Sequence, residues 1–134
     1  MNARAALDLV GRLMLAAIFV IDGLIQLRFQ DGTRGYMDAF GVPGGLLPLS
    51  ILLHVGGGLA VAVGFLTRFA AVALGLFALA AAAIFHTDFA SAVEFNNFWK
   101  NVALAGAFLL LAVNGPGAWS LDRQFPVLGR RLRG

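Results

Sequence analysis

Residues 50–86 read SILLHVGGGLAVAVGFLTRFAAVALGLFALAAAAIFH, and this stretch decides the fold. No charged residue falls between His54 and Arg68, and none between Arg68 and His86. Each of the two apolar runs approaches the roughly 20 helical residues, at about 1.5 Å each, that a hydrocarbon core requires. The break at Thr67-Arg68 predicts a tight turn between two spans. Gly56, Ala60 and Gly64 recur at four-residue spacing on the first run, Ala71 and Gly75 on the second. Small residues so spaced let membrane helices approach closely. Gly57, Gly64, Gly75 and Gly106 are the expected packing positions.

The rest of the chain extends the pattern. Leu13–Ile21 is apolar, and the apolar spacing resumes past Asp22 to Phe29, which predicts a first span over about 8–29. A cleaved signal peptide is not expected, because no small-x-small site follows the apolar core. Residues 30–45, QDGTRGYMDAFGVPGG, read as a loop. Within it Tyr36, Met37 and Phe40 suggest a short amphipathic helix at the interface. Further spans are predicted over about 46–66, 69–85 and 99–113, with residues 86–98 a polar, aromatic connection. Pro48 is acceptable in a first helical turn. Asn114-Gly115-Pro116-Gly117 stops the last span. The expectation is an all-α, integral membrane four-helix bundle forming one domain of 134 residues.

Composition agrees. Hydrophobic residues make up 60% of the chain and charged residues 13%, against about 25% charged in soluble domains. There is no cysteine, so this chain alone supports neither thiol–disulfide chemistry nor iron–sulfur or thiolate metal sites. No metal site and no covalently bound cofactor are expected. The net charge of +3 comes from arginines at chain ends and turns. That favours contact with membrane lipid over nucleic acid. With four spans, Arg4, Arg12, Arg68, Arg123, Arg130, Arg131 and Arg133 share one side, and Arg28, Arg34 and Lys100 the other. This bias predicts both termini in the cytoplasm, as a multi-pass protein of a bacterial inner membrane.

Polar side chains at membrane depth face a bundle interior. Arg12, Leu15, Phe19, Asp22 and Gln26 form one helical stripe, and Ser50, His54, Gly57, Val61, Gly64 and Arg68 another. Asp22 lies about 10 Å and His54 about 12 Å from the outer ends of their spans. They are therefore candidates to pair. With Gln26, His86, Lys100 and Asn101 they outline an outer-half pocket for a small molecule or for protons. Mutual satisfaction of Asp22 and His54, with no ligand, is the plainer alternative. Arg12, Arg68 and Asp122 form a second cluster at the cytoplasmic interface, read as a clip between the tail and the helix ends. Trp119 reads as an interface anchor. Gly56-Gly57-Gly58 lies inside a span and follows no strand, so it is no nucleotide loop. A haem held by His54 and His86 is not expected, since their depths differ by about 10 Å.

An ordered set of residues resembles the DoxX family of small four-helix membrane proteins. It comprises Gly11-Arg12, Gly23, Tyr36, Gly57, Gly64-x-x-Thr67-Arg68-x-Ala70-Ala71, His86, Asn97, Lys100-Asn101-x-Ala103-Leu104-x-Gly106 and Gly115-x-Gly117-x-x-Ser120-Leu121-Asp122. The resemblance covers nearly the whole chain. It implies kinship with the membrane subunit of a thiosulfate:quinone oxidoreductase and with other membrane oxidoreductase complexes. Where that family often has Ser-Gly-x-x-Lys, this chain has Asp22-Gly23-Leu24-Ile25-Gln26; where it often has Glu before the glycines of the second helix, this chain has His54. The expected function is that of a redox-associated membrane subunit touching quinone. Electrons would pass to other membrane protein subunits, since this chain has no flavin motif. The alternatives are a structural or assembly subunit without chemistry, and a small carrier that would form a homo-oligomer.

Overall fold

The computed structural model describes residues 2–126, and every regular element among them is helical. The tail carrying Arg130, Arg131 and Arg133 lies outside the described residues. Helix α1 runs Ala3–Arg28, starting earlier than the expected residue 8 because the Asn2 side chain accepts a hydrogen bond from Ala5 N. Its buried face is Ala5, Arg12, Ala16, Phe19 and Gly23. Asp22 is exposed. The inward stripe thus passes through Gly23 and not, as the spacing suggested, through Asp22, one residue or about 100° away.

The expected interfacial helix is α2, Gln30–Ala39. The Asp38 carboxylate accepts from Gly44 N at 2.8 Å, tying the end of α2 to the next helix. Helix α3, Gly44–Val63, is continuous but not uniform. It opens with a 3₁₀ turn, contains Pro48 in its first α-turn, and widens into a π-helical segment at Leu52–Gly57. This widening shifts its inward face. Leu47, His54, Gly58 and Val61 are buried, so Gly58 replaces Gly57 against α1. A Cβ on Gly58 would sit 2.8 Å from Val20 Cγ2, whereas one on Gly57 would meet Leu74 at 3.1 Å. Gly56 is exposed.

α3 stops at Val63 because Gly64 takes a left-handed conformation, φ +74°. The turn is Gly64–Leu66, with Leu66 also left-handed at φ +46°. Thr67 and Arg68, expected as the turn, are instead the first residues of α4, Thr67–Phe85. Helix α5 runs Ala92–Asn114, seven residues ahead of the expected start at Trp99. Its start is set by Ser91, whose hydroxyl accepts from Glu94 N, in a Ser-x-x-Glu capping arrangement. A four-residue helix α6, Leu121–Gln124, follows.

α4 and α5 pack along their lengths, with Gly75 under Phe108. Ala16, Phe19, Val61, Ala70, Ala71, Leu74 and Phe108 form the core. Gly106 has open space beyond it, so it makes no packing contact among the described residues. Leu7, Met14, Ile21, Leu24, Leu52, Leu76, Leu109 and Leu110 all point outward. α3 and α4 are each long and apolar enough to cross a membrane.

Candidate functional site

At the α2 end of the bundle the helices enclose a cavity of about 550 Å³. All six residues expected to form a pocket line it: Asp22, Gln26, His54, His86, Lys100 and Asn101. Its walls are apolar, with Phe19, Leu53, Phe77, Ile84 and Leu104, and α2 roofs it with Tyr36 and Met37. α2 is held there by aromatic packing. Tyr36 stacks on Phe85 at 5.3 Å between ring centroids and lies 4.9 Å from Phe40. Burial in that cluster, and the negative charge of Glu94, raise the Tyr36 phenol above its ordinary pKa.

His54 is 4% exposed and sits between Phe19 and Phe77, with ring centroids 5.4 and 4.7 Å away. It can come this close to α1 because residue 23 is glycine: a Cβ there would lie 2.9 Å from His54 Cβ and 2.6 Å from Val55 Cγ2. His54 Nδ1 is 2.8 Å from the Ser50 carbonyl oxygen. The Ser50 hydroxyl donates to Gln26 Oε1 at 2.8 Å, and Gln26 Nε2 lies 3.5 Å from His54 Nε2. The partner of His54 on α1 is therefore Gln26. The expected Asp22–His54 pair is not formed: no hydrogen bond or ion pair joins them, and the ring nitrogens meet Ser50 and Gln26 instead.

The remaining candidates divide. His86 caps α4 and its Nδ1 lies 2.6 Å from a Glu94 carboxylate oxygen. Asn101 donates to the Asn97 carbonyl at 2.9 Å. Lys100 and Asp22 line the cavity without a side-chain hydrogen bond among the described residues. Ser50 and Glu94 were not among the candidates. The Ser91-x-x-Glu94 signature would have extended α5 and brought Glu94 beside His86; no comparable signal marks Ser50 as orienting Gln26.

At the opposite end Arg12, Arg68 and Asp122 do act as a clip. Arg12 is 2% exposed and donates to the carbonyls of Val61, Ala62 and Trp119. Asp122 accepts from Leu66 N at 2.8 Å and Thr67 N at 2.9 Å, capping α4. Arg68 donates to Ala112 O and Val113 O, both at 2.7 Å, at the C-terminus of α5, where a cation suits the helix dipole. Gly117, at φ +83°, lies so near Asp8 that a Cβ would clash.

A small helical chain with an apolar outer surface and its polar groups gathered at the two ends is built for lipid surroundings. The DoxX family model matches residues 7–87, and the chain belongs to that family. It is 48% identical over 115 residues to the inner membrane protein YqjF of Escherichia coli, covering 86% of this chain and 88% of that one. It is 40% identical over 129 residues to the inner membrane protein YphA of the same organism, covering 91% and 92%. No solved structure matches it significantly.

Proposed function

We propose that this protein is a bacterial inner-membrane protein with four spans and both termini in the cytoplasm. In this reading it binds a small lipophilic molecule of the quinone class and serves as a subunit of a redox system. The carrying observation is the 550 Å³ cavity, which combines aromatic and aliphatic walls with Gln26, His54, Lys100 and Asn101. A quinone ring needs an apolar slot and a few placed donors. The Lys100 ammonium and the Asn101 and Gln26 amides are such donors, so the residues present fit the group. A bound quinone would supply two-electron redox capacity that no side chain here has; the chain's own share is to hold and orient it. The electrons would go to or come from a partner subunit.

The accessory reading, a packing subunit without chemistry, is favoured by one observation: Gly106 on α5 has open space beside it among the described residues, room for a neighbouring helix to approach closely.

The test is purification from native membranes in mild detergent, with mass spectrometry of bound small molecules, followed by thermal shift with a short-chain quinone and with its alkyl tail alone. Co-purifying quinone, and a rise in melting temperature with the quinone but not the tail, is the expected result. Equal shifts from both would mean that the cavity takes any apolar chain, and the quinone reading fails.

A further inference from the structure

Two polar atoms at the head of the cavity make opposite demands on a ligand. His54 Nδ1 faces the Ser50 carbonyl oxygen at 2.8 Å. A carbonyl only accepts, so Nδ1 carries the proton and Nε2 presents a lone pair. Among the described residues no carboxylate lies within hydrogen-bond reach of either ring nitrogen. Gln26 is oriented the other way. Its Oε1 receives the Ser50 hydroxyl at 2.8 Å, which turns the amide N–H toward His54 Nε2. The two nitrogens are 3.5 Å apart, beyond the 2.7–3.2 Å typical of good N–H hydrogen bonds. One residue, Ser50, thus sets both orientations: its backbone fixes the imidazole tautomer and its hydroxyl fixes the amide.

The result is a lone pair beside an N–H at the head of the cavity, joined to each other only by a long 3.5 Å contact. One functional group answers both: a hydroxyl donates its proton to His54 Nε2 and accepts from Gln26 Nε2. A ketone or quinone carbonyl only accepts. It would satisfy Gln26 and leave its own lone pair facing that of His54. A hydrocarbon satisfies neither. Resting on the ligand reading above, we propose that this head group selects a hydroxyl donor, a quinol or phenol, over the corresponding quinone or ether.

The test uses the intact protein in nanodiscs under anaerobic conditions. The probes are decylubiquinone and its quinol, and a long-chain alkylphenol and its methyl ether. The quinol and the phenol should each bind roughly tenfold more tightly than their counterparts, about the worth of one buried hydrogen bond. His54→Phe should erase the preference, so that both members of each pair bind alike. Gln26→Leu should weaken both members and keep the preference, because the acceptor remains. If His54→Phe does not fold, the phenol–ether comparison on the unmodified protein and the Gln26→Leu pattern decide. Equal binding of quinol and quinone overturns hydroxyl selection and leaves the lipophilic-ligand reading standing. Binding of no probe by the folded protein overturns that reading, and the inference with it.

Discussion

His54 shows how far one side chain's role follows from its neighbours. It is buried, yet its partners are a backbone carbonyl and an amide, not an acid. Asp22 lines the same cavity from an exposed position. With no hydrogen bond between them, the two should couple only weakly. In a double-mutant cycle with Asp22→Asn and His54→Gln, measured by unfolding in one detergent, the coupling should stay within about 0.5 kcal/mol of zero. A coupling above about 1 kcal/mol would mean that the carboxylate swings in to meet the ring. Tyr36 gives a second residue-scale prediction, and as the only tyrosine it can be read directly. Burial first, and Glu94 second, favour its neutral phenol. Its phenolate absorbance should therefore appear at a pH above the value of about 10 for free tyrosine. Glu94→Gln should bring the midpoint partway back. The folded state holds this proton more tightly than the unfolded chain. Its contribution is thus complete below the ordinary tyrosine value and is lost as pH rises toward the folded one. A midpoint at or below the free value would show that the aromatic roof does not form.

At the scale of elements, helix order and approximate lengths were legible because long apolar runs and glycine–proline breaks state them directly. The departures each have a local cause. Gly64 takes the left-handed conformation and moves the turn to Gly64–Leu66. Ser91 with Glu94 starts α5 early. The π-helical segment of α3 sets Gly58 against α1 while Gly57 packs on Leu74 of α4, an arrangement that no 3.6-residue count reveals. The candidate site was legible in one dimension. Counting rise along each helix placed Asp22 and His54 at similar depth in the outer half and His86, Lys100 and Asn101 at the outer ends, and all of these, with Gln26, line the cavity. The angle around α1 was not legible, because a stripe through Asp22 and one through Gly23 fit the spacing almost equally. Only the close packing of Gly23 against His54 and Val55 separates them. Gly23→Ala should therefore be costly although it is a small change in a helix that otherwise favours alanine. Its Cβ would lie 3.1 Å from Val55 N as well as meeting both side chains, and backbone cannot yield as a side-chain tip does. Destabilisation of about 1–3 kcal/mol, typical of overpacking, is expected in unfolding measurements. A neutral or stabilising Gly23→Ala would mean that α1 and α3 are not in contact there.

On the scale of the whole molecule, the two ends of the bundle are built differently, and orientation decides what each end meets. One end is tied by charged side chains around a polar cavity of about 570 Å³: Arg12 holds three carbonyls, Asp122 caps α4, and Arg68 caps α5. The other holds the aromatic-walled cavity roofed by α2. Arg4, Arg12, Arg68 and Arg123 lie at the arginine-rich end, with Arg130, Arg131 and Arg133 following in the sequence, whereas Arg28, Arg34 and Lys100 lie toward the α2 end. Lys and Arg in short flanking segments are retained in the cytoplasm. The arginine-rich end should therefore be cytoplasmic and the aromatic-walled cavity should open toward the periplasmic leaflet. Reporter fusions check this without purification. A marker active only in the cytoplasm should work at the C-terminus and fail when inserted at residues 30–45 or 87–90. A marker active only in the periplasm should show the reverse. Agreement at all three positions excludes two spans alone, which would put residues 30–45 and 87–90 on the same side as the termini; a cytoplasmic marker active at the N-terminus as well completes the four. Cytoplasmic signals at both the N-terminus and 30–45 would remove α1 as a span. A periplasmic C-terminus together with cytoplasmic signals at both loops would invert the molecule and turn the cavity toward the cytoplasm, where its ligand would have to be loaded from the inner leaflet.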